Sequence, residues 1–174
     1  MYFITDYIDQ PDIETEIIGE PLDKDERWAA RVLLVWHQSI DEQYLTGFNA
    51  LQGVVRYGVG YDNIDLKALA DRNIIFCNTP DYGVDEVSDT AVGMILNIAR
   101  GITRYDRNSR SFTNGVWQEN RIEDLKRNRD QVVGVIGAGR IGGSVCRKLS
   151  AIGFEVAFFD PFVPSGHEKM LGVS

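Results

Sequence analysis

The sequence predicts an α/β fold with a parallel sheet, arranged as two successive lobes. Three observations carry this. Apolar runs at 31–36, 51–57 and 74–79 have the unbroken character of buried strands, with glycine-rich or polar segments between them. From Val87 to Tyr105 apolar residues recur every three or four positions, the period of a long helix. A fresh strand, glycine-rich turn, helix and strand then opens at Val132. The implied division is a first lobe over 1–98, a connecting helix and linker over 99–131, and the start of a second lobe over 132–174.

Taken in order, "YFIT" (2–5) reads as a first strand. "IETEII" (13–18) alternates apolar and polar residues and is closed by Gly19 and Pro21, which predicts a second. The charged segment 21–30 leads into the strand "RVLLVW" (31–36). "SIDEQYLTGF" predicts a short helix with Ser39 as its cap and Glu42 three residues on. "LQGVVRY" (51–57), the turn "GVGYDNI", the helix "DLKALADRN" and the strand "IIFCNT" (74–79) complete a βαβ rhythm, that of a flavodoxin-like or Rossmann-like sheet. In the long helix Val87, Ala91, Met94, Ile95, Ile98, Ile102 and Tyr105 predict one apolar stripe, which Gly93 and Gly101 weaken only modestly. Such a helix can bridge lobes or serve a subunit contact. Residues 111–131 are polar and poorly periodic, a linker with Trp117 as its anchor.

Composition narrows the function classes. The 174 residues are 44% hydrophobic, and no apolar run approaches the roughly 20 residues that span a bilayer. The N-terminus carries acids and no basic segment, so no signal peptide, no membrane partner and a cytoplasmic protein are expected. Twenty-six acids against 18 bases give a formal charge of -8 with no basic stripe, which argues against nucleic acid. Cys77 and Cys146 sit in apolar surroundings and predict buried thiols in a reducing compartment. No metal site is expected.

The most informative segment is "VVGVIGAGRIGGSVCRKLSAIGFEVAFFDP" (132–161). Gly137, Gly139 and Gly142 form G-x-G-x-x-G between a strand and a helix. The first glycine permits the sharp turn, the second lets a pyrophosphate approach, and the third lets helix and sheet pack closely. Phosphate oxygens then meet the unpaired N–H groups of the helix start. Asp160 closes the second strand about 20 residues on, where a carboxylate accepts ribose hydroxyls and repels a 2′-phosphate. This is the first βαβ of a Rossmann domain, with NAD favoured over NADP. The blander alternative, a tight turn in another α/β fold, leaves Asp160 unexplained. Gly143 reads as structural.

At "RYGVGYDNID" (56–65), "NTPDYGVDEVSDTAVGMILNIAR" (78–100) and "GVIGAGRIG" (134–142) the chain resembles the NAD-dependent D-2-hydroxyacid dehydrogenases, most of all the phosphoglycerate dehydrogenase and C-terminal-binding-protein branch. The three motifs stand in family order and spacing over roughly 30–174. Before residue 30 the chain departs from the pattern, because too few residues separate the first two expected strands to hold the usual helix. The resemblance implies a substrate lobe that a C-terminal segment completes and a coenzyme lobe inserted into it. It implies a small 2-hydroxy or 2-keto acid whose carboxylate is held by backbone amides of Tyr57, Gly58, Val59, Gly60 and Tyr61, with Arg56 alongside. It further implies cofactor contacts by Thr90, Gly137, Gly139, Arg140, Ile141, Gly142, Asp160 and Pro161, and a homodimer using the segment from Arg104 to Trp117.

Simpler roles stand beside these. Asn63 and Asp65 can cap the following helix, Arg56 can make a structural pairing, and Arg104 and Arg107 can be surface charges. Glu86 and Asp89 suit a helix start without any catalysis. Hydride transfer to a 2-keto acid needs a proton donor and a cation. In the family these are an Arg, a Glu and a His from further along the coenzyme domain, and no residue here matches them. His37 follows a strand end and His167 lies in a tail that reads as frayed, so no catalytic residue is assigned. Two readings remain: the front half of an enzyme nearly twice as long, or a shortened, non-catalytic module for dinucleotide binding or dimerisation. The intact substrate loop and cofactor motif favour the first.

Overall fold

The computed structural model describes residues 1–8, 11–110 and 122–173. The chain divides into two compact units, Met1–Tyr82 and Gly83–Ser174.

The first unit is a four-stranded parallel sheet in which spatial order follows chain order: β1 (Tyr2–Ile4), β2 (Val32–Val35), β3 (Gly53–Arg56) and β4 (Ile75–Asn78). Phe3 lies opposite Leu33, Leu33 opposite Val54, and Val54 opposite Phe76. Each crossover steps one strand in the same direction. Right-handed connections then carry their helices to one face, and α2 (Glu42–Leu45) and α3 (Leu66–Asp71) bury Leu45, Ala68 and Leu69 against Phe3, Leu33, Val35 and Val54. Asp65 caps α3 by accepting the Ala68 N–H at 2.9 Å, as expected of that residue.

Three local expectations change in this unit. Residues 13–18 are not a strand; they lie in a helix, α1 (Asp12–Ile18). Ile13 and Ile17 are four apart, a spacing that suits a helix as well as alternation suits a strand, and Asp12 and Glu14 favour its first turn. A helix therefore does fit between the first two strands. The cap of α2 is Asp41 rather than Ser39: Asp41 Oδ1 accepts the Tyr44 N–H at 2.7 Å, while the Ile40–Ile64 bridge keeps the chain extended just before it. Cys77 is exposed on β4, so only Cys146 is a buried thiol, its pKa raised by that burial.

The second unit pairs β5 (Val132–Ile136) with β6 (Glu155–Phe159) in parallel through α6 (Arg140–Ala151). Its core gathers Val145, Cys146 and Leu149 of α6 with Val156, Phe154 and Leu171, the last from a short α7 (His167–Leu171) where the sequence suggests a frayed tail. The long helix belongs here. Ala91, Val92, Ile95, Leu96 and Ala99 of α4 (Val84–Arg100) pack on that core, so the compact units part at 82/83 instead of within the helix. A polar clasp adds to the packing: Ser88 Oγ, fully buried, lies 3.2 Å from Ser144 Oγ and accepts Lys148 Nζ at 2.7 Å, and Lys148 also pairs with Asp89 at 2.6 Å.

The expected continuous stripe to Tyr105 is interrupted. Gly101 adopts the left-handed conformation at φ 63°, its N–H facing the Asn97 and Ile98 carbonyls, and ends α4. The Asn97 side chain then accepts both the N–H and the hydroxyl of Thr103 at 2.8 Å, starting α5 (Ile102–Arg110). The stripe also divides by face: Ala91 and Ile95 point to the core, whereas Val87, Met94 and Ile98 are exposed. The expected anchor Trp117 lies outside the described residues.

Candidate functional site

Open parallel sheets bind ligands beyond the carboxyl ends of their strands, and the sequence-derived site residues other than Thr90 fall there in each unit. In the first, Arg56 ends β3 and Tyr57–Tyr61 form the following loop. The Tyr57 N–H extends the sheet to the Val35 carbonyl at 2.8 Å, and Gly58 N–H turns back on the Arg56 carbonyl at 2.9 Å. From β4, Asn78 Nδ2 donates to Val59 O at 2.8 Å, and the Thr79 N–H donates to Gly58 O at 3.2 Å. With its carbonyls so held, the loop presents the N–H groups of Val59, Gly60 and Tyr61, which meet no acceptor among the described residues. Successive backbone donors of this kind suit an anion.

The surrounding side chains brace this loop. Arg56 Nη1 donates to Tyr57 O at 3.2 Å, and its guanidinium lies 5.0 Å from the centre of the Trp36 ring. It fills the space beside Gly58, where a Cβ would sit 1.3 Å from Nη1. Its buried Nε has no partner among the described residues. The Tyr57 hydroxyl donates to Glu14 of α1; burial first, and then that carboxylate, push the phenol far above its ordinary range. Asp6, just past β1, accepts the N–H groups of Trp36, His37 and Gln38. Burial pushes the Asp6 carboxyl up, but these amides and the Thr5 hydroxyl outweigh it and hold it below the usual value. Neither Asp6 nor Glu14 is signalled by the sequence, since both pairings span tens of residues.

In the second unit the glycine-rich loop joins β5 to α6. Gly137 takes φ 86°, a left-handed turn that favours glycine, and its N–H continues the sheet to Phe159 O at 2.8 Å. A Cβ on Gly142 would lie 1.8 Å from the Gly137 carbonyl oxygen, so only glycine lets α6 pack this close to the loop. A Cβ on Gly139 would meet nothing within 4 Å, which leaves open space over the helix start. The N–H groups of Gly139, Ile141 and Gly142 meet no acceptor among the described residues. These features fit a pyrophosphate, which needs a side-chain-free approach and aligned donors.

Asp160 stands at the end of β6 with both oxygens engaged: Oδ2 accepts the Ala138 N–H and Oδ1 the Phe162 N–H, each at 2.8 Å. The Phe162 and Ala138 amides lower its pKa, burial opposes them, and His167 nearby adds to the lowering. Each oxygen keeps a second lone pair for a hydroxyl donor. Pro161 is exposed in the turn that follows. Thr90 lies on an exposed stretch of α4, its hydroxyl donating to the Glu86 carbonyl at 2.8 Å. Sequence reasoning passed over His167, whose Nε2 lies 3.1 Å from the Ala138 carbonyl. Among the described residues no group of His, Cys, Asp or Glu is placed to hold a metal ion, and no helix is long and apolar enough to cross a membrane.

Two parallel α/β units, the second opening with a strand, a glycine-rich turn and a helix, define a fold of the Rossmann-like class. The profile of the family described as "D-isomer specific 2-hydroxyacid dehydrogenase, catalytic domain" matches residues 4–162. The chain belongs to that family. It is 34% identical over 144 residues to C-terminal-binding protein 1 of Caenorhabditis elegans, covering 80% of this chain and 20% of that protein. It is 33% identical over 123 residues to D-3-phosphoglycerate dehydrogenase of Methanocaldococcus jannaschii, covering 71% and 23%. The crystal structure of D-lactate dehydrogenase from Aquifex aeolicus, complexed with NAD and lactic acid, has the same fold: TM-score 0.73, 21% identity, 99% of this chain and 54% of that one. The chain thus spans about a fifth to a quarter of the length of these curated relatives.

Proposed function

We propose that this chain carries the carboxylate-binding and dinucleotide-binding parts of an NAD-dependent oxidoreductase that interconverts a D-2-hydroxy acid and a 2-keto acid. The observation that carries this is the glycine-rich loop: Gly142 packs where no side chain fits, and unpartnered amides stand over open space. Family membership supplies the reaction class. Bound NAD would supply the hydride acceptor or donor. The amides of Gly139, Ile141 and Gly142 hold its pyrophosphate, with Arg140 alongside, and Asp160 takes the adenosine ribose. In the first unit, the amides of Val59, Gly60 and Tyr61 hold the substrate carboxylate, which Arg56 backs with positive charge.

Calorimetric titration with NAD and NADP tests the reading: it requires NAD to bind and NADP to bind more weakly, because Asp160 repels a 2′-phosphate. Equal affinity for the two, or no binding, contradicts it.

The reading extends to a homodimer in a cytoplasmic setting. Met94, Ile98 and Ile102 are 58%, 77% and 56% exposed on α4 and α5. A row of this kind is the surface a second copy covers. Two free cysteines suit a reducing compartment.

A further inference from the structure

The backbone of Ala138, between Gly137 and Gly139, is held on both sides by side chains distant in sequence. Its N–H donates to Asp160 Oδ2 at 2.8 Å, and its carbonyl lies 3.1 Å from His167 Nε2. A carbonyl oxygen only accepts, so Nε2 carries the proton in this contact. The imidazole also meets Phe158 edge-on, with ring centres 5.8 Å apart, which fixes its plane. Ala138 itself is 2% exposed, so its carbonyl has little access to water in place of the histidine.

The Ala138 carbonyl and the Gly139 N–H belong to one peptide plane. In a trans peptide they point in opposite directions, and no peptide bond in the described residues is cis. A carbonyl held towards α7 therefore turns the Gly139 N–H away from α7, and that N–H meets no acceptor among the described residues. A donor on the carbonyl also polarises the peptide and strengthens its N–H as a donor.

We propose that His167 is a positioning residue for dinucleotide binding: by donating to the Ala138 carbonyl it presents the Gly139 amide to the pyrophosphate. This rests on the dinucleotide reading above and adds a residue outside the glycine motif.

The test uses the whole 174-residue chain, with ADP-ribose as the probe, in unsubstituted, His167→Leu and His167→Gln forms. One lost charge-assisted hydrogen bond predicts about a tenfold weaker affinity for His167→Leu. His167→Gln, whose side-chain amide can donate to the same carbonyl, recovers most of it. The Gly139 amide 15N resonance, sensitive to a donor on the preceding carbonyl, shifts in the Leu form and returns in the Gln form, while that of Gly153 stays in place. Unchanged ADP-ribose affinity in His167→Leu overturns the inference alone. So does a loss that the Gln form shares in full, or, should the Leu form not fold, a Gln form without the native Gly139 resonance and affinity. No binding by the unsubstituted chain overturns the dinucleotide reading and this inference together.

Discussion

Replacing Gly142 and Gly139 in turn by alanine separates the two jobs of the glycine-rich loop. A Cβ at 142 would lie 1.8 Å from the Gly137 oxygen and 2.9 Å from its carbonyl carbon. Non-bonded carbon contacts settle near 3.5 Å, so loop and helix must part by roughly 1.5 Å. Overpacking of this kind costs about 1–3 kcal/mol of stability. It also moves the pyrophosphate donors, and losing one or two charge-assisted hydrogen bonds at about 1.5–3 kcal/mol each weakens binding by about ten- to ten-thousandfold. At Gly139 the added methyl meets no protein atom, and the residue sits at φ -70°, which alanine accepts. Gly139→Ala should therefore keep its urea midpoint and still lose dinucleotide affinity, because the methyl fills the approach. Urea unfolding and NAD titration on the two variants read this out. The reasoning is refuted if Gly142→Ala keeps both stability and affinity, or if Gly139→Ala binds NAD as tightly as the parent.

Two further outcomes follow from the geometry. The Asp6 carboxyl is held below its ordinary 3.8 in the folded chain, so its contribution is present above that value and is lost as pH falls through the folded one. Asp6→Asn should cost about 1–3 kcal/mol at pH 7, with a gap to the parent that persists down to about pH 5 and closes below about pH 4; a gap constant to pH 2 in chemical unfolding contradicts this. Ile98 is 77% exposed, so Ile98→Asp should leave the thermal midpoint unchanged and turn a dimer into a monomer in sedimentation; an unchanged sedimentation coefficient removes that face from the contact.

How much of this is legible in the sequence depends on the range of the interactions. The strands at 32–35, 53–56 and 75–78 are apolar runs closed by turn residues, and the structure forms them within the expected spans. The G-x-G-x-x-G segment is equally local, and its turn and helix follow from neighbouring residues. Residues 12–18 fail for a local reason, since seven residues with Ile at 13 and 17 fit both periods, and the helix at 12–18 emerges only in three dimensions. Gly101 reads as a mild defect in a long helix; the Asn97 side chain, ready to start α5 at Thr103, makes it a stop. The bracing of both candidate loops is the least legible part. Asp6 to 36–38, Tyr57 to Glu14 and His167 to Ala138 each join residues far apart in the chain, and no short-range pattern announces them.

Hydrogen exchange with and without NAD tests the central claim most directly, because it reports where on the chain a dinucleotide sits. The account predicts slowed exchange at the Gly139, Ile141 and Gly142 amides on adding NAD, with the amides of Val59 to Tyr61 unaffected until a 2-keto acid is added. Protection absent from 139–142, or confined to any other part of the chain, would contradict it.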